Sequence, residues 1–142
     1  MTVANVGDSR GVLCKGQTHQ AIPLSEDQKV SCAHERARAE SKGAVILNGR
    51  VNGQLAVTRA FGDLSLRDVG AIDAVPAVTR AYAAAGDRVV LCSDGVFDKL
   101  SNEMVVATVR ATQTATAAAT ALVDAALGNQ TEDNVTAVAI FL

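Results

Sequence analysis

Arg88-Val89-Val90-Leu91-Cys92-Ser93-Asp94-Gly95-Val96-Phe97-Asp98 is the stretch on which the reading of this sequence turns. Its first five residues are a short, mostly apolar run suited to a central strand buried on both faces. An acid, Asp94, stands just beyond that run, and Asp98 follows four positions later. A carboxylate at the end of a buried strand is held in place by the sheet, and several such ends can converge on one point.

Two more acids stand at comparable places. Asp133 precedes the closing apolar run V-T-A-V-A-I-F-L (135–142), and Asp8 follows the opening run of residues 2–6. Between these ends the chain alternates hairpin signals with helical ones. Strands are expected at 2–6, 12–15 and 19–22, and a helix over 33–42 with Gly43 at its C-terminal cap. Residues 44–47 and 50–51 flank the turn Asn48-Gly49, and Asn52-Gly53 repeats the signal. Residues 55–61 are apolar, and 62–76 read as an irregular surface loop. A one-face-wet strand covers 77–82, and Gly86-Asp87 turns the chain into the central run. Ser101-Asn102-Glu103 opens a helix to about residue 110. A second helix covers 114–127, with Ala115, Ala119, Leu122 and Ala126 on one face and Gly128 ending it. Strands precede helices rather than alternating with them, which points to an α+β chain and away from a Rossmann-like sheet.

Composition narrows the function classes. The 142 residues fit one domain, 49% hydrophobic and 20% charged, which excludes a disordered chain. A formal charge of −2 leaves no basic surplus for nucleic acid or anionic lipid. The basic cluster Arg36, Arg38 and Lys42 is interleaved with Glu35 and Glu40 and reads as a solvated helix face. Cys14, Cys32 and Cys92 form no C-x-x-C pair and no histidine stands at ligand spacing, so neither a disulfide scaffold nor a zinc site is expected. Reduced thiols suit the cytoplasm or nucleus. Residues 1–10 lack the basic and apolar regions of a signal peptide, and no apolar run reaches about 18 residues, so no membrane span is expected.

The acids have competing readings when taken singly. Asp94-Gly95 and Asp133-Asn134 are ordinary turn pairs, Asp8 suits a hairpin, and Asp98 suits a helix cap. Glu26 and Asp27 read as solvated, and His19 and His34 show no partner spacing. Taken together, an Asp cluster without His or Cys is a hard site for Mg²⁺ or Mn²⁺. Such ions lower the pKa of bound water and clamp phosphate oxygens.

Five strings in order give the cluster a context: V-A-N-V-G-D-S-R (3–10), L-S-E-D-Q-K (24–29), R-V-N-G-Q-L-A-V-T-R-A-F-G-D (50–63), S-D-G-V-F-D (93–98) and D-N-V-T (133–136). Together they resemble the type 2C (PPM-class) metal-dependent protein serine/threonine phosphatases over essentially the whole chain. The resemblance implies a four-layer αββα fold, two antiparallel sheets packed as a sandwich with helices outside. This chain would be the C-terminal portion of that domain, lacking its N-terminal strands. It further implies Asp94 and Asp133 as core metal ligands, with Gly95 and Asn134 adjacent, and Asp8 and Asp98 around a third ion. Arg50, Asn52, Gly53, Arg59 and Asp63 would lie in the flap bordering the substrate cleft. The implied substrate is a phosphorylated protein.

The chain departs from the family pattern in what is absent. The early Glu-Asp pair, the Asp-Gly-His-Gly-Gly string and a phosphate-holding arginine do not occur here. Two cations about 3.5–4 Å apart repel and need a shared carboxylate, which Asp94 and Asp133 alone do not supply. Phe97 stands where many members carry Trp, and Val30 where Pro is common. Two functional readings therefore stay open: a phosphatase completed by a missing N-terminal segment or second chain, and a non-catalytic binding relative.

Overall fold

The computed structural model describes residues 1–142. Its elements are β1 (Thr2–Asn5), β2 (Arg10–Cys14), β3 (Ala21–Pro23), α1 (Ala33–Ser41), β4 (Ile46–Leu47), β5 (Arg50–Val51), α2 (Leu64–Asp68), β6 (Ala77–Arg80), β7 (Arg88–Cys92), α3 (Asp94–Phe97), α4 (Asn102–Arg110), α5 (Ala115–Gly128) and β8 (Ala137–Phe141). This is the expected mixture of antiparallel strands and helices. The chain divides into two compact units, one of residues 1–3, 9–25 and 79–142, the other of residues 4–8 and 26–78. β1 and β6 form a two-stranded pair of their own.

The first unit is built on the antiparallel sheet β3-β2-β7-β8. β7 is central, with Val90 opposite Val12 on one side and Ala139 on the other. Alternate residues Val12, Cys14, Val90 and Cys92 face α4 and α5 and pack on Val105, Val106, Val109, Ala118, Leu122 and Ala126. Both helices start at side-chain caps. The Ser101 hydroxyl accepts from the Met104 amide at 3.3 Å, and Thr114 accepts from Ala117 at 3.1 Å. The buried stripe of α5 is Ala118, Leu122 and Ala126, with Ala115 and Ala119 only half-buried, so the helix is turned slightly from the expected face.

The other face of the sheet corrects the expectation for β7. Leu13, Leu24 and Val89 form a buried cluster on its β2–β3 side. Leu91, Val138 and Ile140 on the same face are 42%, 47% and 43% exposed. The strand is therefore central but covered on one face only along its β8 side, because α4 and α5 both pack on the opposite face.

The second unit has its own core of Ala39, Ala44, Val51, Leu66, Ala71 and Ile72. α1 ends as expected, with Gly43 at φ +93° past the Lys42 cap. Asn48 and Gly49 take φ +51° and +71° between β4 and β5, the paired left-handed turn that Asn-Gly favours. The 62–76 stretch is not wholly irregular: α2 begins at Asp63, itself left-handed at φ +46°, and buries Leu66. No helix is long and apolar enough to cross a membrane.

Candidate metal centre

The central observation is how β7 and β8 are tied at one end. The Ser93 amide donates to the Thr136 carbonyl at 3.0 Å. Its hydroxyl donates to the Asn134 carbonyl at 3.1 Å and accepts from the Thr136 amide at 3.0 Å. Ser93 is thus a three-bond clamp between the end of β7 and the lead-in to β8, a role that sequence reading missed. Gly95 completes the approach. A Cβ placed on it would lie 2.4 Å from the Asn134 carbonyl oxygen and 3.5 Å from the Asp133 Cβ. Asp-Gly here is a close backbone crossing rather than a free turn, and it brings the residue after Asp94 against residues 133 and 134.

The acids themselves are held by local backbone. Asp94 opens the single helical turn α3, and its Oδ1 accepts from the Gly95 amide at 3.0 Å. Asp98 sits at the C-terminal cap of that turn, donating its amide to the Asp94 carbonyl at 2.8 Å. Asp133 Oδ1 accepts from the Asn134 amide at 2.6 Å. Asp98 and Asp133 line one cavity of about 470 Å³ with Lys99, Thr131 and Glu132. Asp98 and Asp133 of the first unit thus share a cavity, and the Gly95–Asn134 backbone contact joins the segments that carry Asp94 and Asp133. The donor set is carboxylate oxygen without imidazole or thiolate, which fits Mg²⁺ or Mn²⁺.

Asp8 belongs to the second unit, where its carboxylate lies 3.1 Å from Lys29 Nζ. The segment before it is fixed by Gln28, which is 2% exposed. Gln28 Oε1 accepts from the Gly7 amide at 2.7 Å, and Nε2 donates to the Asn5 carbonyl at 3.1 Å. The Gln28 carbonyl in turn accepts from the Thr58 hydroxyl at 2.9 Å. Nothing in the local sequence pattern marks Gln28, since its partners lie 21 to 30 residues away.

The flap residues have differing surroundings. Arg50 is exposed and donates to the Gln54 carbonyl at 2.8 Å. Asn52, at φ +49°, accepts from the Val45 amide at 2.8 Å, and Gly53 follows at φ +71°. Asp63 is exposed ahead of α2. Arg59 is committed inward: it donates Nε to Glu35 Oε2 at 3.0 Å, Nη2 to Glu35 Oε1, and Nη1 to the Val75 carbonyl at 2.7 Å.

Glu35 corrects the expectation of a solvated helix face. It is 1% exposed and also accepts from Arg38 at 2.8 Å and from the Thr58 hydroxyl at 2.7 Å. Burial pushes its carboxyl up, but donation from Arg59, Arg38 and Thr58 outweighs this and holds it at about 2. Arg38 continues to Asp73 at 2.5 Å, and Lys42 meets the same carboxylate. Burial pushes Asp73 up as well, and Lys42, the Val75 amide and Arg38 together bring it below its ordinary range. Only Arg36–Glu40, 2.9 Å apart, keeps the expected solvated character.

A second correction concerns Cys32. Its Sγ lies 3.2 Å from His34 Nδ1, because Cys32 is the extended N-cap of α1 and the two side chains meet across the helix start.

The profile of the family described as protein phosphatase 2C matches residues 1–135. The chain belongs to the protein phosphatase 2C family. A relative in Schizosaccharomyces pombe, protein phosphatase 2C homolog 1, is 36% identical over 139 residues, covering 98% of this chain and 40% of the relative. Among solved structures, a phosphatase from a pathogenic strain of Toxoplasma gondii superposes with a TM-score of 0.88 at 28% identity, over 99% of this chain and 47% of that one. A Caenorhabditis elegans sex determining protein superposes with a TM-score of 0.82 at 25% identity, over 97% of this chain and 36% of that one. This protein phosphatase 2C chain therefore carries the family's fold while spanning less than half the length of each of these relatives.

Proposed function

We propose that this chain is the C-terminal portion of a protein serine/threonine phosphatase domain, and that Asp94 and Asp133 are its contribution to the metal centre. The observation that carries the reading is the crossing of Gly95 over the Asn134 carbonyl, 2.4 Å from a would-be Cβ, which fixes these two acids at adjacent strand ends. A Mg²⁺ or Mn²⁺ ion bound there supplies an activated water and a clamp on the phosphoryl oxygens of a phosphoserine or phosphothreonine. Asp94 and Asp133 offer their oxygens from beside the ends of β7 and β8, and Asp98 adds charge to the cavity that Asp133 lines. Ser93 keeps the two strand ends in register while the charge on the site changes.

Completion of the domain is part of the proposal. The exposed Leu91, Val138 and Ile140 form an apolar face that suits a covering segment, either N-terminal sequence of the same protein or a second chain. The three unpaired thiols favour a cytoplasmic or nuclear setting. Turnover is expected from the completed domain and little from these 142 residues alone. A phosphothreonine peptide with Mn²⁺ is the test. In the completed protein, Asp94→Asn is expected to lower kcat/KM about a hundredfold or more, because the metal's charge stabilisation is several kcal/mol and about 1.4 kcal/mol is tenfold. Unchanged turnover in that variant contradicts the assignment. A completed protein that binds phosphopeptide without hydrolysing it identifies the binding reading instead.

A further inference from the structure

Glu26, Cys32 and His34 lie outside the carboxylate cluster, and the family fold gives them no part in it. Their donor atoms all fall within 4.8 Å of one another. Cys32 Sγ is 3.3 Å from Glu26 Oε1 and 3.2 Å from His34 Nδ1. We propose that these three side chains form a surface site for a borderline-soft divalent cation, zinc above all, distinct in chemistry from the Asp94–Asp133 centre.

Two of the three donor separations suit the ion as they stand. With Zn–S near 2.3 Å and Zn–N or Zn–O near 2.0–2.1 Å, tetrahedral ligands stand about 3.3–3.6 Å apart. The two sulfur-centred separations here are within a few tenths of an ångström of that without any backbone movement. Thiolate, imidazole and carboxylate are all zinc donors, and the thiolate gives this site a spectroscopic signature that an all-oxygen cluster lacks. The His34 and Glu26 side chains are 64% and 70% exposed, so a fourth position faces water.

Carboxylates also stand near the far side of the imidazole. With Nδ1 toward the sulfur, Nε2 lies 3.8 Å from Glu35 Oε1 and 3.9 Å from Glu26 Oε2. Glu35 is itself fixed by Arg59, Arg38 and Thr58, so a rigid anion stands behind the ring. A carboxylate on the far nitrogen is the usual partner of a metal-bound histidine. The sequence separation adds a mechanical consequence. Glu26 and Cys32 are six residues apart, and a shared ion would close the loop that carries Gln28 and Lys29, the residues that hold Gly7 and Asp8. Binding replaces the thiol proton by metal, so one proton leaves per ion bound.

The test uses the full chain and Co²⁺ as a spectroscopic probe, with Zn²⁺ as competitor. The expected result is one thiolate-bound Co²⁺ per chain, read from a thiolate-to-cobalt charge-transfer band in the near ultraviolet that Zn²⁺ displaces. Cys32→Ser keeps a good helix N-cap, so the fold is expected to persist, checked by far-ultraviolet circular dichroism. That variant should lose the band, and His34→Ala should weaken binding at least about tenfold. Cys14 and Cys92 are buried and should not contribute. Asp94→Asn should leave the band and affinity unchanged, which separates this site from the proposed catalytic centre. Absence of the band in the folded chain overturns the proposal, as does a band that survives Cys32→Ser or an affinity indifferent to His34→Ala.

Discussion

The β7–β8 end and the start of α1 hold their acids by opposite means. At the β7–β8 end, Asp94 and Asp133 accept from the amide of the next residue, and the segments that carry them are joined by backbone: the Ser93 clamp and the Gly95 crossing. In the second unit, Glu35 is locked by side chains, with two guanidinium groups and a hydroxyl on one buried carboxylate. Glu35, whose carboxyl is held at about 2, has a structural part. A strongly shifted pKa is often taken as a pointer to an active site, but ion-pair networks shift pKa values as readily. Here the shift at Glu35 measures how completely its charge is compensated.

The sharpest way to break this contrast is to remove the Glu35 charge. Glu35→Gln leaves Arg59 without its carboxylate partner in a buried setting and Arg38 with Asp73 alone, which is expected to destabilise the chain by about 3–5 kcal/mol. Urea denaturation of wild type and variant checks this, and a loss under 1 kcal/mol would mean that the network is no anchor.

Acid should probe the same contact more gently. The folded Glu35 carboxyl sits at about 2, below its ordinary value of 4.5, so its stabilisation is fully present above pH 4.5 and is lost as pH falls toward 2. The loss attributable to this residue is about 3 kcal/mol. The difference in stability between wild type and Glu35→Gln should therefore shrink over that window. A difference that stays constant from pH 6 to pH 3 contradicts the assignment.

Gly95→Ala tests the other unit. Its Cβ would meet a backbone carbonyl that cannot swing away, so β7 and β8 must part locally, at a cost of about 1–3 kcal/mol. Metal affinity should fall together with stability in this variant. In Glu35→Gln chains that remain folded, the affinity of the Asp94–Asp133 centre should be retained.

Much of this was legible in the sequence because local rules decided it. β7 and β8 stand where apolar runs predict them, and α4 and α5 begin at Ser101 and Thr114 as side-chain capping requires. The left-handed Asn48-Gly49 pair likewise follows from residue type. What local pattern could not carry was long-range pairing. Glu35 reads as solvated because Arg36 and Glu40 surround it, and the residue that most binds it, Arg59, is 24 positions away. Leu91 reads as buried because an apolar run does not say how far the covering layer extends. α2 was hidden by its entry through Gly62 and Asp63, both left-handed, which imitates a loop. Cys32 and His34 are two residues apart, a spacing that brings donors together only because a helix begins between them.

Titration of the full chain with Mn²⁺, followed by the relaxation of solvent water protons, addresses the central claim most directly. If oxygens from the ends of β7 and β8 grip one ion, Asp94→Asn and Asp133→Asn each weaken the same Mn²⁺ site by at least about tenfold, and the double variant loses little more than either single one. Binding that is unaffected by either substitution, or effects that add as for two separate sites, would contradict it.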